Sequence, residues 1–307
     1  MKHKKQSKIL LDIPVKLSSI TKRSISIPPN TSILDARDIL IRHKIGRLIV
    51  EFNKKPVGII TEKDIAKSIS VFSGKPIAKI SVRDIMSKDL VTVLPDSSIH
   101  DCAKLMKKHG ISSVIIKNSR GELLGIVTKT DLVSTFLIRS TASLPISKVM
   151  TKNVITVSPD DSIFEVESIL LNNKIRRVIV ASKNKNPVGI ITYRDFVPAK
   201  TFDLYKEFTD PEERTEIFWS PKLNEFNVNN LSYLLTFLAK DIMTKNPYFV
   251  APTDIVYNAA IMMIRHGISG LPVVQGKKLV GIITKSDIVD VIASQGKISS
   301  SKKLQSL

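Results

Sequence analysis

The chain has 307 residues, 43% of them apolar and 24% charged, a balance that excludes an intrinsically disordered chain and suggests about two domains. No apolar run approaches the ~20 residues a membrane helix needs, and a single cysteine, Cys102, excludes an internal disulfide and a multi-cysteine zinc site. The formal charge of +19 points to anionic partners, among which nucleotides, nucleic acid and anionic lipid all stay open.

The opening, "MKHKKQSKILLDIPVK", is basic, but Asp12 and Pro14 break its apolar stretch. It lacks the core and cleavage site of a secretory leader, and the expected location is the cytoplasm. "LSSITKRSISIPPNTSI" then leads through Pro29 to a helix start, "HKIGRLIV" reads as a strand, and "VGIITEKDI" as a strand that runs into another helix at Asp64. The next stretch repeats that order. "LVTV" is a short β-prone pair, and "SIHDCAKLMKKHG" predicts a helix with Ile99, Cys102, Ala103, Leu105 and Met106 at helical spacing. Cys102 therefore reads as a small core residue rather than a nucleophile. Gly110 suits a helix C-cap, and a cation is favoured at a helix end, which accounts for His109 and His266. "SSVIIK" and "LLGIVT" are buried strands around the turn "NSRGE", and "TKTDLVSTFL" is the closing helix. A third copy runs from "VITV" through "NKIRRVIV" to "VGIITYRDF", where Pro198 makes the last helix less regular. Residues 201–237 are an expected helical insertion, with a helix start at Asp210-Pro211-Glu212-Glu213 and the only tryptophan, Trp219. The insertion packs against the repeats or else serves as a lid or dimer contact. The fourth copy runs from "AKDIMTKNPYFV" through "HGISGLPVV" to "VGIITKSDI".

Four copies agree at three separate marks. Each ends in Gly-x-x-Thr-x-x-Asp, as Gly58, Thr61 and Asp64; Gly125, Thr128 and Asp131; Gly189, Thr192 and Asp195; and Gly281, Thr284 and Asp287. Pro29, Pro95, Pro159 and Pro252 stand 35 or 36 residues before the aspartates, and Lys44, Gly110, Lys174 and Gly267 stand 15 residues after the prolines. Agreement at this period means an internal repeat. Each unit reads β-α-β-β-α, an α+β (α/β) fold, and each is too small to bury its own sheet alone.

The repeats resemble the cystathionine-β-synthase-type domain, the CBS domain. The likeness rests on the four Gly-x-x-Thr-x-x-Asp ends and on the linkers "RDIMSKDLVTV", "SKVMTKNVITV" and "AKDIMTKNPYFV". It implies repeats at 10–75, 79–140, 144–200 and 238–295, paired in chain order into two pseudo-two-fold Bateman modules, 1–138 and 139–295, that form a flat disk within one chain or by dimerisation. The first repeat lacks the "DIM" of the linkers, as expected where no linker precedes it.

An aspartate at a strand end that opens a helix can cap the helix or accept hydrogen bonds from the cis hydroxyls of a ribose. The resemblance implies the second use. Asp64, Asp131, Asp195 and Asp287 bind ribose, and Thr61, Thr128, Thr192 and Thr284 lie near ribose or phosphate. Arg47, Lys63, Lys129, Arg177, Arg194 and Lys285 are candidate phosphate contacts, although basic turn residues are ordinarily just solvated. The base falls among Val91, Val93, Ile111, Ser112, Ile155, Val157, Phe249, Ile268 and Ser269. The implied ligand is AMP, ADP, ATP or S-adenosylmethionine, held by a non-catalytic regulatory protein that signals to a separate effector and forms a homodimer. The alternative is nucleic-acid binding through the basic surface and the lysine-rich ends "MKHKKQSK" and "SSSKKLQS"; against it, aromatic residues are only 6% and no stacking motif is present. An enzyme is not expected. Four repeats leave no length for a catalytic barrel of ~250 residues, and no phosphate loop, metal cluster or nucleophile–His–acid set stands out.

Overall fold

A computed structural model describes residues 15–71, 79–139, 143–196 and 237–295. The insertion expected at 201–237, with Trp219 and its helix start at 210–213, lies outside the described residues except for its last residue. The four repeats are built alike, so the second serves as the type.

In that unit β4 (Thr92–Val93) is followed by α4 (Ile99–Lys108), β5 (Ser113–Lys117), β6 (Leu123–Thr128) and α5 (Lys129–Arg139). β4 runs parallel to β5 across the helical crossover, and β5 pairs antiparallel with β6. Ser98 caps α4 by accepting from the Asp101 backbone N–H, which satisfies one of the helix's orphan donors. Ile99, Cys102, Ala103 and Met106 form the buried face of α4, at the spacing the sequence predicts. The first unit has β1 (Ser26–Ile27), α1 (Ile33–Arg42), β2 (Arg47–Phe52), β3 (Lys55–Thr61) and α2 (Glu62–Val71). The third has β7 (Thr156–Val157), α6 (Ile163–Asn172), β8 (Arg177–Ala181) and β9 (Pro187–Thr192), and ends in a 3-10 turn, Tyr193–Phe196. The fourth has α8 (Val256–Arg265), β11 (Gly270–Gln275), β12 (Lys278–Thr284) and α9 (Lys285–Gln295), and its first strand is reduced to a parallel bridge between Val250 and Val273.

The mid-repeat mark has one physical meaning in all four copies. Lys44, Gly110, Lys174 and Gly267 have φ of 53°, 62°, 53° and 65°, the left-handed residue that ends a helix and turns the chain into the next strand. Glycine takes that conformation freely; the two lysines take it against their Cβ.

The linkers do not sit on the repeats they introduce. Lys22, ahead of β1, bridges to Ile126 of β6, in the second repeat. Ser87, after the short helix α3 (Val82–Ile85), bridges back to Ile59 of β3, and Thr151 bridges to Ile282 of β12. After α7 (Ala239–Ile242), β10 (Thr244–Lys245) pairs with β9, with Thr244 opposite Ile190. The segment 15–23, which the sequence assigns to the first repeat, thus lies on the second.

Two compact units result. One gathers the described residues of 1–23, 91–154 and 248–307; the other gathers those of 24–90 and 155–247. Within these units the second repeat packs with the fourth and the first with the third. The reason lies in the helices. In the first unit α4 packs on α9, and α5 packs on α8 and α9. One core there joins Met106, Leu132 and Phe136 of the second repeat to Val256, Met263, Ile288 and Ile292 of the fourth. In the other unit α2 packs against the Tyr193–Phe196 turn, and Ala66 of α2 belongs to the third repeat's core.

Candidate functional site

The same carboxylate geometry occurs four times. Each aspartate's Oδ2 accepts from the backbone N–H of its threonine at 2.7–2.8 Å and from that threonine's hydroxyl at 2.6–2.8 Å. The threonine ends a strand, and the aspartate stands in the first turn of the helix or 3-10 turn that begins there. One oxygen of every carboxylate thus caps its own helix start. Asp131 and Asp195 are buried, and Asp64 and Asp287 are half-buried. Burial raises the Asp287 carboxyl above its ordinary value, against the pull of the two Thr284 hydrogen bonds.

Directly across each hairpin from the threonine is the residue at the start of the facing strand: Arg47 opposite Thr61, Ser113 opposite Thr128, Arg177 opposite Thr192 and Gly270 opposite Thr284. Side chains opposite each other in an antiparallel pair point to the same face, so Arg47 and Arg177 share a face with Thr61 and Thr192. The backbone N–H after the threonine closes the corner onto the facing loop. Lys129 donates to the Ser112 carbonyl at 3.0 Å and Lys285 to the Ser269 carbonyl at 3.1 Å.

The four cations between threonine and aspartate are engaged across each compact unit. Lys129 Nζ donates to Ser286 Oγ at 2.7 Å, and Lys285 Nζ donates to Thr130 Oγ1 at 3.0 Å. These contacts are reciprocal: the residue one after the threonine in one repeat meets the residue two after it in the other. The second unit follows a similar rule. Arg194 Nε donates to Glu62 at 2.6 Å, and the Lys63 ammonium lies 5.5 Å from the centre of the Tyr193 ring. Each unit therefore carries a local pseudo-two-fold arrangement at these corners. Burial, then repulsion from Lys67 and Arg176, lowers the Lys63 amine below its ordinary value, while Asp64 opposes the shift.

Of the residues expected near the base, Val91, Val93, Ile111 and Ile268 are partly buried against the core of their unit. Ile155 packs against the other core, of which Val157 is a buried member. Ser112 and Ser269 contribute the carbonyls that accept from Lys129 and Lys285, and Phe249 is 61% exposed. Cys102 is fully buried and its thiol is pushed up to about 12, chiefly by desolvation, which fits a core residue. Among the described residues no helix is long and apolar enough to cross a membrane, and no group of His, Cys, Asp and Glu is placed to hold a metal ion.

A family model described as "CBS domain" matches residues 17–71, 82–137, 146–200 and 239–294, well over half of the chain. The chain belongs to the CBS domain family. Among its relatives is the uncharacterized protein MJ1404 of Methanocaldococcus jannaschii, 28% identical over 294 residues; the match covers 93% of this chain and 63% of that protein, so the chain spans less than two thirds of that relative's length. Protein MJ1225 of the same organism is 24% identical over 287 residues, covering 89% of this chain and 96% of MJ1225. The MJ1225 crystal structure superposes with a TM-score of 0.76 at 23% identity over 91% of this chain and 100% of that one. An uncharacterized conserved protein from Pyrococcus horikoshii superposes with a TM-score of 0.59 at 20% identity over 91% of this chain and 100% of that one. These likenesses show that the CBS fold extends over four repeats.

Within this CBS chain the linker methionines explain the motif glycines. A methyl group on Gly58, Gly189 or Gly281 would meet the sulfur of Met86, Met243 or Met150. At Gly125 it would meet the Lys22 carbonyl oxygen and the Thr21 methyl instead. Thr21 thus takes the methionine's place, and "SITK" at 19–22 is the second repeat's counterpart of "DIMS" at 84–87. Sequence reasoning also missed Lys22, whose ammonium is 2.6 Å from Asp131 Oδ1. Only the alignment of "SITK" with the linkers contains that signal. Tyr193 was missed as well: its ring receives Lys63, and its buried hydroxyl has no hydrogen-bond partner among the described residues.

Proposed function

We propose that this chain is a non-catalytic sensor whose Thr–Asp corners hold the ribose of an adenine nucleotide, AMP, ADP or ATP, or of S-adenosylmethionine. Occupancy is then read by a separate effector protein. The observation that carries the reading is the fourfold recurrence of one fixed carboxylate. Two hydrogen bonds from the threonine lock each aspartate's Oδ2, so a sugar hydroxyl would be received at Oδ1, which at Asp131 already meets the Lys22 ammonium. The cap and the ribose contact are therefore compatible uses of one side chain, and the capping hydrogen bonds preorganise the carboxylate for a ligand. Beside Asp64, the Lys63 ammonium is repelled by Lys67 and Arg176, an electropositive setting suited to phosphate. Arg47 and Arg177, on the face of Thr61 and Thr192, are the further phosphate contacts of this reading. Signalling follows by population shift: a ligand that binds one arrangement of the repeats more tightly enriches it.

The test is calorimetric titration of the full chain with ATP, ADP, AMP and S-adenosylmethionine, repeated on Asp64→Ala, Asp131→Ala, Asp195→Ala and Asp287→Ala. At least one ligand binds the wild type, and at least one variant loses a site. Absence of binding to the wild type at millimolar ligand sinks the sensor reading; unchanged binding in all four variants sinks the assignment to these corners.

A further inference from the structure

The four corners are not equivalent, and the difference lies in the linker that covers each. Lys22, Ser87, Thr151 and Thr244 occupy one structural position, each paired with the residue after the motif glycine: Ile126, Ile59, Ile282 and Ile190. Ser87, Thr151 and Thr244 are short and uncharged. Lys22 is held there by two backbone hydrogen bonds with Ile126, 3.1 Å and 2.9 Å, and its ammonium reaches Asp131 Oδ1 at 2.6 Å. Since Oδ2 of Asp131 already accepts from Thr128, both oxygens of this carboxylate are used within the chain. The Asp131 side chain is only 4% exposed, while that of Lys22 is 69% exposed. A buried carboxylate is thus neutralised by a lysine arriving from the solvent side.

We propose that Lys22 is a built-in occupant of the Asp131 corner, holding the oxygen that a ribose diol would engage and so setting which repeat takes ligand. The inference rests on the ribose reading above and adds a selectivity to it. A diol that enters must first displace the ammonium, and the buried carboxylate loses a full charge partner in exchange for two neutral hydroxyl donors. Hydrogen bonds and ion pairs to a desolvated carboxylate are stronger than those to an exposed one. The second repeat is accordingly weakened for a neutral nucleoside.

The experiment uses the full chain, with adenosine as a probe because it offers the diol without phosphate, and AMP as its charged counterpart. Lys22→Met removes the ammonium and keeps the stem, and the backbone bridge to Ile126 does not involve the side chain; an unchanged thermal melt verifies the fold. Lys22→Met gains one adenosine site per chain in a concentration range where the wild type leaves it empty, an affinity gain of about ten-fold at that corner. Adding Asp131→Ala abolishes the gain. If the wild type binds adenosine and Lys22→Met binds it with the same stoichiometry and affinity, the occupant role is wrong and the ribose reading stands. A variant that binds AMP more weakly also overturns it, because Lys22 then holds the ligand instead of excluding it. If neither adenosine nor AMP binds any of these chains, the occupant role falls, and the ribose reading falls with it when ADP, ATP and S-adenosylmethionine also fail to bind.

Discussion

Burial raises the Asp287 carboxyl above its ordinary 3.8 although Thr284 donates two hydrogen bonds to it. Linkage sets the sign of the consequence. A carboxyl that holds its proton more tightly in the folded state contributes stability that is complete below 3.8 and is lost as pH rises through the folded value. Asp287→Asn keeps an acceptor for Thr284 and cannot ionise. Its melting temperature relative to wild type therefore rises as pH increases from 3.8 through the folded value and is level above it. Paired thermal melts across this range check it, and a pH-independent gap refutes it. Groups that do not act on Asp287 cancel in the difference. The aspartates themselves were legible in the sequence because their spacing from threonine, glycine and proline is fixed. The engagements of Lys129, Lys285 and Arg194 were not, since each meets a residue 157, 155 or 132 positions away. Local pattern carries no record of such partners, and a basic residue in a turn looks the same whether it faces solvent, phosphate or another repeat.

The strand, helix and turn order of each unit follows from local chemistry, and the sequence shows it well. Serine caps, apolar spacing in α4 and the left-handed mark after each first helix all act within a few residues. The destination of the linkers is a different matter. Exchange of "DIM" segments onto other repeats is a tertiary arrangement, and the linker-like stretch at the opening of the first repeat, "SITK", likewise packs on the second. The glycine beneath each linker is the position where this exchange is most sensitive. Gly58→Ala meets the end of the Met86 side chain, which can change rotamer, whereas Gly125→Ala meets the Lys22 carbonyl, which is fixed by its pairing with Ile126, and does so at a φ of 156° that side chains rarely adopt. Overpacking of this kind costs about 1–3 kcal/mol. Gly58→Ala falls at the low end of that range and is partly rescued by Met86→Ala; Gly125→Ala falls at the high end. Urea unfolding of the two glycine variants and the rescued double variant measures the order, and equal costs at the two glycines would show that the linker backbone yields as readily as a methionine.

At the scale of the whole molecule, stability is shared between repeats far apart in the chain. Phe136 on α5 is fully buried in a core that also contains Val256, Ala259, Ala260 and Met263 of α8 and Ile288 and Ile292 of α9. Polar contacts across the same kind of boundary are weaker. The Arg194–Glu62 ion pair joins side chains 52% and 21% exposed, and a pair so placed contributes about 1 kcal/mol or less. Apolar helix packing is therefore what couples the second repeat to the fourth. Phe136→Ala removes a large buried ring at a cost of about 3–5 kcal/mol. If the two repeats form one cooperative unit, that cost is felt in both. Amide protons in α8 and α9 then lose protection together with those of α4 and α5, although the substitution lies in the second repeat alone. Hydrogen exchange followed by mass spectrometry resolves the helices separately. Wild-type protection in 256–293 alongside lost protection in 99–139 would mean that each repeat stands on its own core, and that the joint packing of α5 with α8 and α9 contributes little to holding the fold.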